Sequence, residues 1–433
     1  MAIADRLSRV AALVKSNAAG AMVAQVWQAG GSFALQILAA WTLGAVGLGV
    51  FALLYGIIVL VTAISSGMVG DSLIILNRAD RAIRSGLQFW ALALATAAFG
   101  VAAAVSYWTG LLPWQAAIWF GLATALFMVE ELIRRLLMAT MRFWHLVLVD
   151  GSALVACLAT IGLVSLSHQL SIGTFLMGLC AGQAIGLLVG ICALPKSERR
   201  LVRLQRDGIG RVAAFGAWRG AQVSIPQLVQ TLSRTLVTVA VSAAALGEVE
   251  AARILVAPLT LLVQGFGSYL LSSYAKDRDL GPRKLRERAW KASATMMAGA
   301  LVVGLVIVLL TPVVGPLVSG PAFAIDPVVV AGWMCYVIGM ASLQPFGSLG
   351  AVLGQQGRLL LCRVFDVVAA LATLFVLVVV FQLPATVMPF VLAAGLMVGG
   401  ITIRYFVLRP LIATERVAEE SAEVELQPVS GAR

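Results

Sequence analysis

The chain has 433 residues, 61% of them hydrophobic and only 12% charged, with a mean hydropathy of +0.97. A soluble globular domain carries about a quarter charged residues, so the composition excludes one and points to a helical protein that crosses a membrane many times. A spanning β-barrel would show short alternating segments instead, and the net charge of +11 raises nucleic acid as a partner, which the placement of the charges argues against.

Taken in chain order, residues 3–15 of MAIADRLSRVAALVKS are basic and mildly amphipathic, and read as an interfacial helix without a cleavable signal. Twelve apolar runs follow, at 18–43, 47–74, 87–109, 114–138, 144–166, 171–194, 213–243, 249–275, 292–316, 327–352, 360–382 and 386–408. Each is close to the roughly 20 helical residues that a hydrocarbon core of ~30 Å requires. Their connections alternate in charge. Arg6, Arg9 and Lys15 precede the first run, Arg78, Arg81 and Arg84 follow the second, and Arg142 follows the fourth. PKSERRLVRLQRDGIGR joins the sixth to the seventh, and KDRDLGPRKLRERAWK the eighth to the ninth. The connections LGAVGLG, YWTGLLPW, SHQLS, SGPAFAIDP and QLPA hold no Lys or Arg. By the positive-inside rule both termini are cytoplasmic. The excess positive charge is then an orientation signal that also suits anionic lipid headgroups, and nucleic acid is not needed to explain it. The outer connections are too short for a catalytic domain or a sugar-binding module. The cysteines (Cys157, Cys180, Cys192, Cys335, Cys362) lie in or beside apolar runs without metal spacing and read as packing residues; no metal and no cofactor is expected.

An internal repeat runs through the chain. RFWHLVLVDGSALVACLA at 142–159 aligns without gaps to RLLLCRVFDVVAALATLF at 358–375, matching Arg142 to Arg358, Asp150 to Asp366, Ala153 to Ala369 and Ala156 to Ala372. TLGAVGLGVFALL at 42–54 pairs with ALGEVEAARILVA at 245–257, and Trp90 and Trp290 each sit near the start of the third run of their half. Run n thus maps onto run n+6, and two parallel six-helix lobes are expected, related by an axis along the membrane normal and enclosing a central cavity. The expected division is an N-terminal interfacial segment at 1–16, an N-lobe at 17–195, a basic cytoplasmic linker at 196–212, a C-lobe at 213–409 and a cytoplasmic tail at 410–433.

With LGAVGLGVFALLYGIIVLVTAISSGMVGDSLI in the second run, LGEVEAARILVAPLTLLVQGFGSYLLSSYAK in the eighth and LGQQGR before the eleventh, the chain resembles polysaccharide flippases of the multidrug, oligosaccharidyl-lipid and polysaccharide exporter superfamily. The resemblance implies an all-α transporter, not an enzyme, in the bacterial cytoplasmic membrane. It implies a polyprenyl-(pyro)phosphate-linked glycan as substrate, moved from the inner to the outer leaflet by alternating access. Membrane lipids, and polymerase or glycosyltransferase proteins of the same membrane, are the expected partners.

A pyrophosphate head crossing hydrocarbon needs guanidinium groups in place of water, and its sugar needs hydroxyls and amides. Arg234, mid-way along the seventh run and eight residues after Pro226, has no acid within four positions. It reads as a phosphate or glycan ligand, as the partner of a carboxylate such as Glu130, or as a side chain snorkelling toward the outer surface. Arg219 reads as an inner-side phosphate contact or an interfacial anchor beside Trp218. In EELIRR, Glu130–Arg134 and Glu131–Arg135 are spaced i, i+4 with the acid first. One pair is expected to cancel internally while the other arginine faces the cavity, so Arg134 and Arg135 are both candidates for the head group. Gln25, Gln28, Ser32 and Gln36 form a stripe on the first run; with Gln222, Gln227 and Gln230 on the seventh they read as sugar contacts or as interhelical glue. Glu130, Glu131, Asp150 and Asp366 are candidates for gating or coupling, with Arg142 expected to tie Asp150 and Arg358 to tie Asp366. Glu248, Glu250 and Arg253 are expected at an outer lip. The glycines Gly44, Gly47, Gly49 and Gly56 read as sites of close helix packing.

Three rivals stand beside this reading, the first within the same superfamily. A multidrug and cation antiporter of the same superfamily would want membrane-embedded carboxylates. The first, third, sixth, seventh, ninth and twelfth runs have no Asp or Glu in their interiors, so a positive cavity and an anionic substrate are expected instead. A membrane glycosyltransferase or ligase would need acidic motifs on a sizeable loop, and a non-transporting scaffold would not need a buried arginine.

Overall fold

The computed structural model describes residues 17–77, 79–200, 202–320 and 323–409. The expected interfacial segment, the tail and Arg78 fall outside them. The regular structure of the described residues is all helical, without a strand. The helices are α1 (Asn17–Ser65), α2 (Asp71–Ile75), α3 (Arg81–Trp108), α4 (Trp114–Ala139), α5 (Phe143–Ser165) and α6 (Ile172–Ala193), then α7 (Arg206–Ala240), α8 (Ala243–Lys276), α9 (Gly281–Ser319), α10 (Pro327–Val352), α11 (Gln356–Phe375) and α12 (Met388–Thr402). Among the described residues ten segments are long and apolar enough to cross a membrane, so the chain is a multi-pass membrane protein.

The first of these segments, Val23–Leu73, is 51 residues long and covers two of the expected runs. Its helix breaks at Gly44, where φ 65° and ψ −169° put the backbone where a side chain is not tolerated. The expectation of a close-packing role for Gly44 is corrected here: a Cβ on it would meet nothing, and its role is conformational. α7 is not among the ten, because Arg206, Asp207, Arg211, Arg219, three glutamines and Arg234 dilute its apolar run. It continues as helix through Pro226.

The helix starts follow ordinary capping chemistry. The side chains of Asp80, Ser171, Ser242 and Asp326 accept from the first free backbone N–H groups of α3, α6, α8 and α10, and Pro327 occupies the first turn of α10, where its missing N–H costs nothing.

By packing, the chain divides into two compact units, Met1–Thr235 and Leu236–Arg433. α7 counts with the first unit as far as Thr235, so this division differs from the repeat-based one at 196–212. In the first unit Phe51, Phe120 and Phe175 are fully buried, and Phe51 meets Phe175 edge-on at 5.5 Å. The basic connection is pinned to α3: Gln88 bonds Val202 N–H and the Arg200 carbonyl, Arg211 pairs with Asp80, and Trp90 Nε1 donates to the Ile209 carbonyl. α1 runs at its end into a five-residue π turn, Ser66–Gly70, buried throughout. α7 crosses that turn through glycines. A Cβ on Gly67 would lie 2.6 Å from Gly220 Cα, and one on Gly216 would clash with the Met68 carbonyl. In the second unit Phe346, Leu374 and Tyr274 are buried, and Trp333 Nε1 donates to the Val249 carbonyl at 2.8 Å.

Candidate functional site

Five helical stretches of the first unit give one face each to a pocket of about 870 Å³, its open side included. The spacing is helical in every case. The first arm of α1 gives Gln28, Gly31, Ser32 and Leu35, and its second arm gives Tyr55, Val59 and Thr62. From α4 come Phe127, Glu130 and Glu131, from α5 Asp150, Ala153, Leu154 and Cys157, and from α6 Leu179, Gly182 and Gln183. Small residues let these helices close up: a Cβ on Gly182 would lie 2.6 Å from the Ala153 carbonyl oxygen.

The charges of EELIRR organise the site, with a pairing that differs from the expected one. Arg134 is only 3% exposed. Its Nη1 donates to Glu131 Oε2 at 2.7 Å, its Nη2 to Asp150 Oδ2 at 3.3 Å and to Gln28 Oε1 at 3.1 Å, and its Nε lies 2.9 Å from Asp150 Oδ1. Arg135 Nε donates to Glu131 Oε1 at 2.9 Å. Both arginines therefore share Glu131, which they meet at i+3 and i+4. Glu130, the partner expected for Arg134, is buried, with Oε1 facing Gly186 of α6. Among the described residues no cation lies at ion-pair distance from it.

The network continues outward. Arg135 Nη1 reaches Asp71 Oδ1 at 3.4 Å, Arg219 Nε donates to Asp71 Oδ2 at 2.7 Å, and Arg219 Nη1 to Gln222 Oε1 at 3.3 Å. Ser66 of the π turn donates to Glu131 Oε1 at 3.4 Å. An unbroken line of polar contacts thus runs from Gln28 to Gln222. Asp71 is its hinge and was not among the expected residues. It stands at the end of an apolar run, and only the crossing of α7 over the π turn brings Arg219 to it.

Several expectations are corrected by this arrangement. Arg134 and Arg135 are held by carboxylates, and neither presents an open guanidinium to a head group in this structure. The pocket inside the first unit is lined by carboxylates of α4 and α5, which are not among the runs whose lack of acids suggested a positive cavity between the lobes. The tie from Arg142 to Asp150 does not form, because Arg142 Nη1 donates to the Ala193 carbonyl at 2.7 Å and closes the end of α6. Arg358 is exposed and Asp366 takes Arg363 instead, at 2.7 Å. At the start of α8 Glu248 is exposed, whereas Glu250 is fully buried and holds Arg253 Nε at 2.6 Å.

Of the stripe on α1, Gln28 and Ser32 line the pocket, and Ser32 bonds the Tyr55 hydroxyl at 3.0 Å. Gln36 bonds back to the Ser32 carbonyl, and Gln25 is exposed. Gln230 is half-buried. Arg234 is buried on α7, with its guanidinium laid against Gly56. A methyl group there would stand 2.5 Å from Nη1, and Thr231 Oγ1 donates to the Gly56 carbonyl at 3.1 Å. Gly56 therefore makes room for an arginine rather than for a helix backbone.

No family model matches the sequence, and no curated protein matches it. Solved structures do. An inward-facing multidrug resistance MATE family transporter of the MOP superfamily superposes with a TM-score of 0.71 at 14% identity, covering 92% of this chain and 99% of that one. The lipid II flippase MurJ in an inward closed conformation gives 0.71 at 11% identity, covering 89% and 87%. The eukaryotic MATE transporter AtDTX14 gives 0.61 at 15% identity over 91% and 94%. These neighbours are transporters and flippases, and over nearly its whole length the chain has the fold of the MOP superfamily.

Proposed function

We propose that the chain is a flippase that carries a polyprenyl-linked glycan from the inner to the outer leaflet of a bacterial cytoplasmic membrane by alternating access. In this reading it has twelve spans and cytoplasmic termini, and the carboxylates of the first unit couple the cycle to a cation or proton. Glu130 carries the coupling. It is buried on the wall of the pocket, while Glu131 is held by Arg134 and Arg135 and Asp150 by Arg134. A buried carboxylate without an ion-pair partner is unfavourable unless it takes up a proton or a cation. Binding there would also reorder the line of contacts that reaches Arg219 and Gln222 on α7. The substrate class is supported by the likeness to a lipid II flippase, and by the guanidinium and amide groups of α7: Arg219, Gln222, Gln227, Gln230 and Arg234.

A second reading, an antiporter for organic cations, is favoured by the pocket itself, which combines carboxylates with the rings of Trp27, Tyr55 and Phe127. The two readings separate in cells lacking the protein. The flippase predicts accumulation of a lipid-linked glycan at the inner leaflet, relieved by the wild-type gene and not by a Glu130→Gln version. If no such lipid accumulates and sensitivity to organic cations rises instead, the flippase reading fails and the antiporter stands.

A further inference from the structure

The second unit holds a different kind of pocket where α9 begins and α12 ends, of about 920 Å³ with its open side included. Arg286 and Trp290 of α9, Phe346 of α10, and Arg404, Tyr405 and Arg409 at the chain's last described turn line it. Arg404 sits in the corner of two rings that meet edge-on, 4.5 Å from the centroid of Trp290 and 4.1 Å from that of Phe346. Its Nη2 donates to the Ser342 carbonyl at 3.0 Å and to Ser342 Oγ at 2.9 Å, and its buried Nε has no hydrogen-bond partner. Arg409 lies over the Tyr405 ring at 5.6 Å. Among the described residues no carboxylate lies at ion-pair distance from Arg286, Arg404 or Arg409.

Three arginines without a carboxylate at ion-pair distance, one of them held in a corner of aromatic rings, make a poor packing core and a good cradle for phosphate oxygens. Their position narrows the ligand. α9 opens as GPRKLRERAWK and turns apolar from Ala292 onward, so the pocket lies where that helix enters hydrocarbon. The half-exposed Trp290 and Tyr405 suit the headgroup level. A soluble anion would have no use for those rings, whereas a lipid meets them with its glycerol and upper chains.

We propose that this pocket binds the phosphate of an anionic phospholipid from the surrounding bilayer, held by Arg286, Arg404 and Arg409. The site is separate from the carboxylate pocket of the first unit and does not depend on what the protein transports. The test uses the full-length protein in neutral detergent, with lipid binding read by native mass spectrometry and by the thermal unfolding midpoint. Phosphatidylglycerol should remain bound and raise the midpoint, and phosphatidylcholine should do neither. Arg286→Gln/Arg409→Gln removes two exposed charges, so its lipid-free midpoint should match wild type while its affinity for phosphatidylglycerol falls roughly tenfold to thirtyfold. Arg404→Lys keeps the charge but loses the flat fork and should weaken binding as well. Equal phosphatidylglycerol uptake by wild type and the double variant overturns the proposal. An equal midpoint rise with inorganic phosphate alone would overturn its lipid half.

Discussion

Asp150 and Asp366 occupy matching places in the internal repeat and live in different chemistry. Asp150, in the first unit, is bound by an arginine from another helix, and that arginine is bound in turn by Glu131 and Gln28. Asp366, in the second unit, takes Arg363 from one turn earlier on its own helix and packs its carboxylate against Gly399 of α12. The repeat therefore fixes where a charge sits along a helix without fixing its partner. What differs is the neighbouring helix. α4 carries EELIRR against Asp150, whereas the α10 face that packs around α12 is almost entirely apolar. The first unit consequently has a cross-helix network and the second a local pair, and a conformational change can break the first by helix movement but not the second.

The sharpest test of that contrast is removal of each arginine. Arg134→Ala leaves Asp150 without a cation and Glu131 with only Arg135, at a position where the guanidinium is buried. A loss of about 3–5 kcal/mol of stability is expected, as for broken buried pairs. Arg363 is partly exposed, so Arg363→Ala should cost less, about 1–3 kcal/mol for an underbonded Asp366. The check is thermal or denaturant unfolding in detergent, with Asp150→Asn and Asp366→Asn as the respective rescues. Equal losses in both units would abolish the distinction between network and local pair.

Glycine substitutions sharpen the comparison at the level of packing. A Cβ on Gly67 meets backbone, at 2.6 Å from Gly220 Cα and 2.8 Å from the Arg219 carbonyl oxygen, and neither can swing away. Gly67→Ala should cost about 1–3 kcal/mol, in the range of overpacked interiors. In the second unit Gly399→Ala meets the Asp366 side chain, which can rotate, and the loss should be smaller. Gly56→Ala likewise displaces only the end of the Arg234 side chain. Under the proposed function its signature is transport lost with the unfolding midpoint nearly kept. A Gly56→Ala protein that transports normally would remove Arg234 from the working residues.

Much of the fold is legible in the sequence, because hydrocarbon forces the backbone into helices about 20 residues long and the charges mark their ends. The ends of α4, α5, α6 and α10 lie within a residue of the runs read from hydropathy. The site is less legible. EELIRR and Asp150 stand out as charges in apolar runs, and helical spacing picks out Gln28 and Ser32. The partner choice does not follow from spacing: Arg134 is equally near Glu130 and Glu131 along the helix, and Asp150 decides between them by drawing the guanidinium toward α5. Nor does spacing reveal the π turn, which rests on packing against α7 rather than on any residue preference. Asp71 was missed for that reason.

Asp71 also gives the smallest expected effect. It is held by two arginines, Arg135 from α4 and Arg219 from α7. Arg219 is 41% exposed and Arg135 27%, so water screens both contacts, and single exposed pairs are worth about 0.2–1 kcal/mol. Either Arg135→Ala or Arg219→Ala leaves Asp71 with the other arginine, so each alone should lower stability by a few tenths of a kcal/mol within that range. The double change leaves Asp71 with neither, and its loss should exceed the sum of the two. Residues in one ionic network depart from additivity by about 0.5 kcal/mol or more. The measurement is a double-mutant cycle on unfolding free energy, repeated in Asp71→Asn, where the excess should vanish. Strict additivity in the wild-type background would mean that the two arginines act separately, and that the line from Gln28 to Gln222 ends at Glu131.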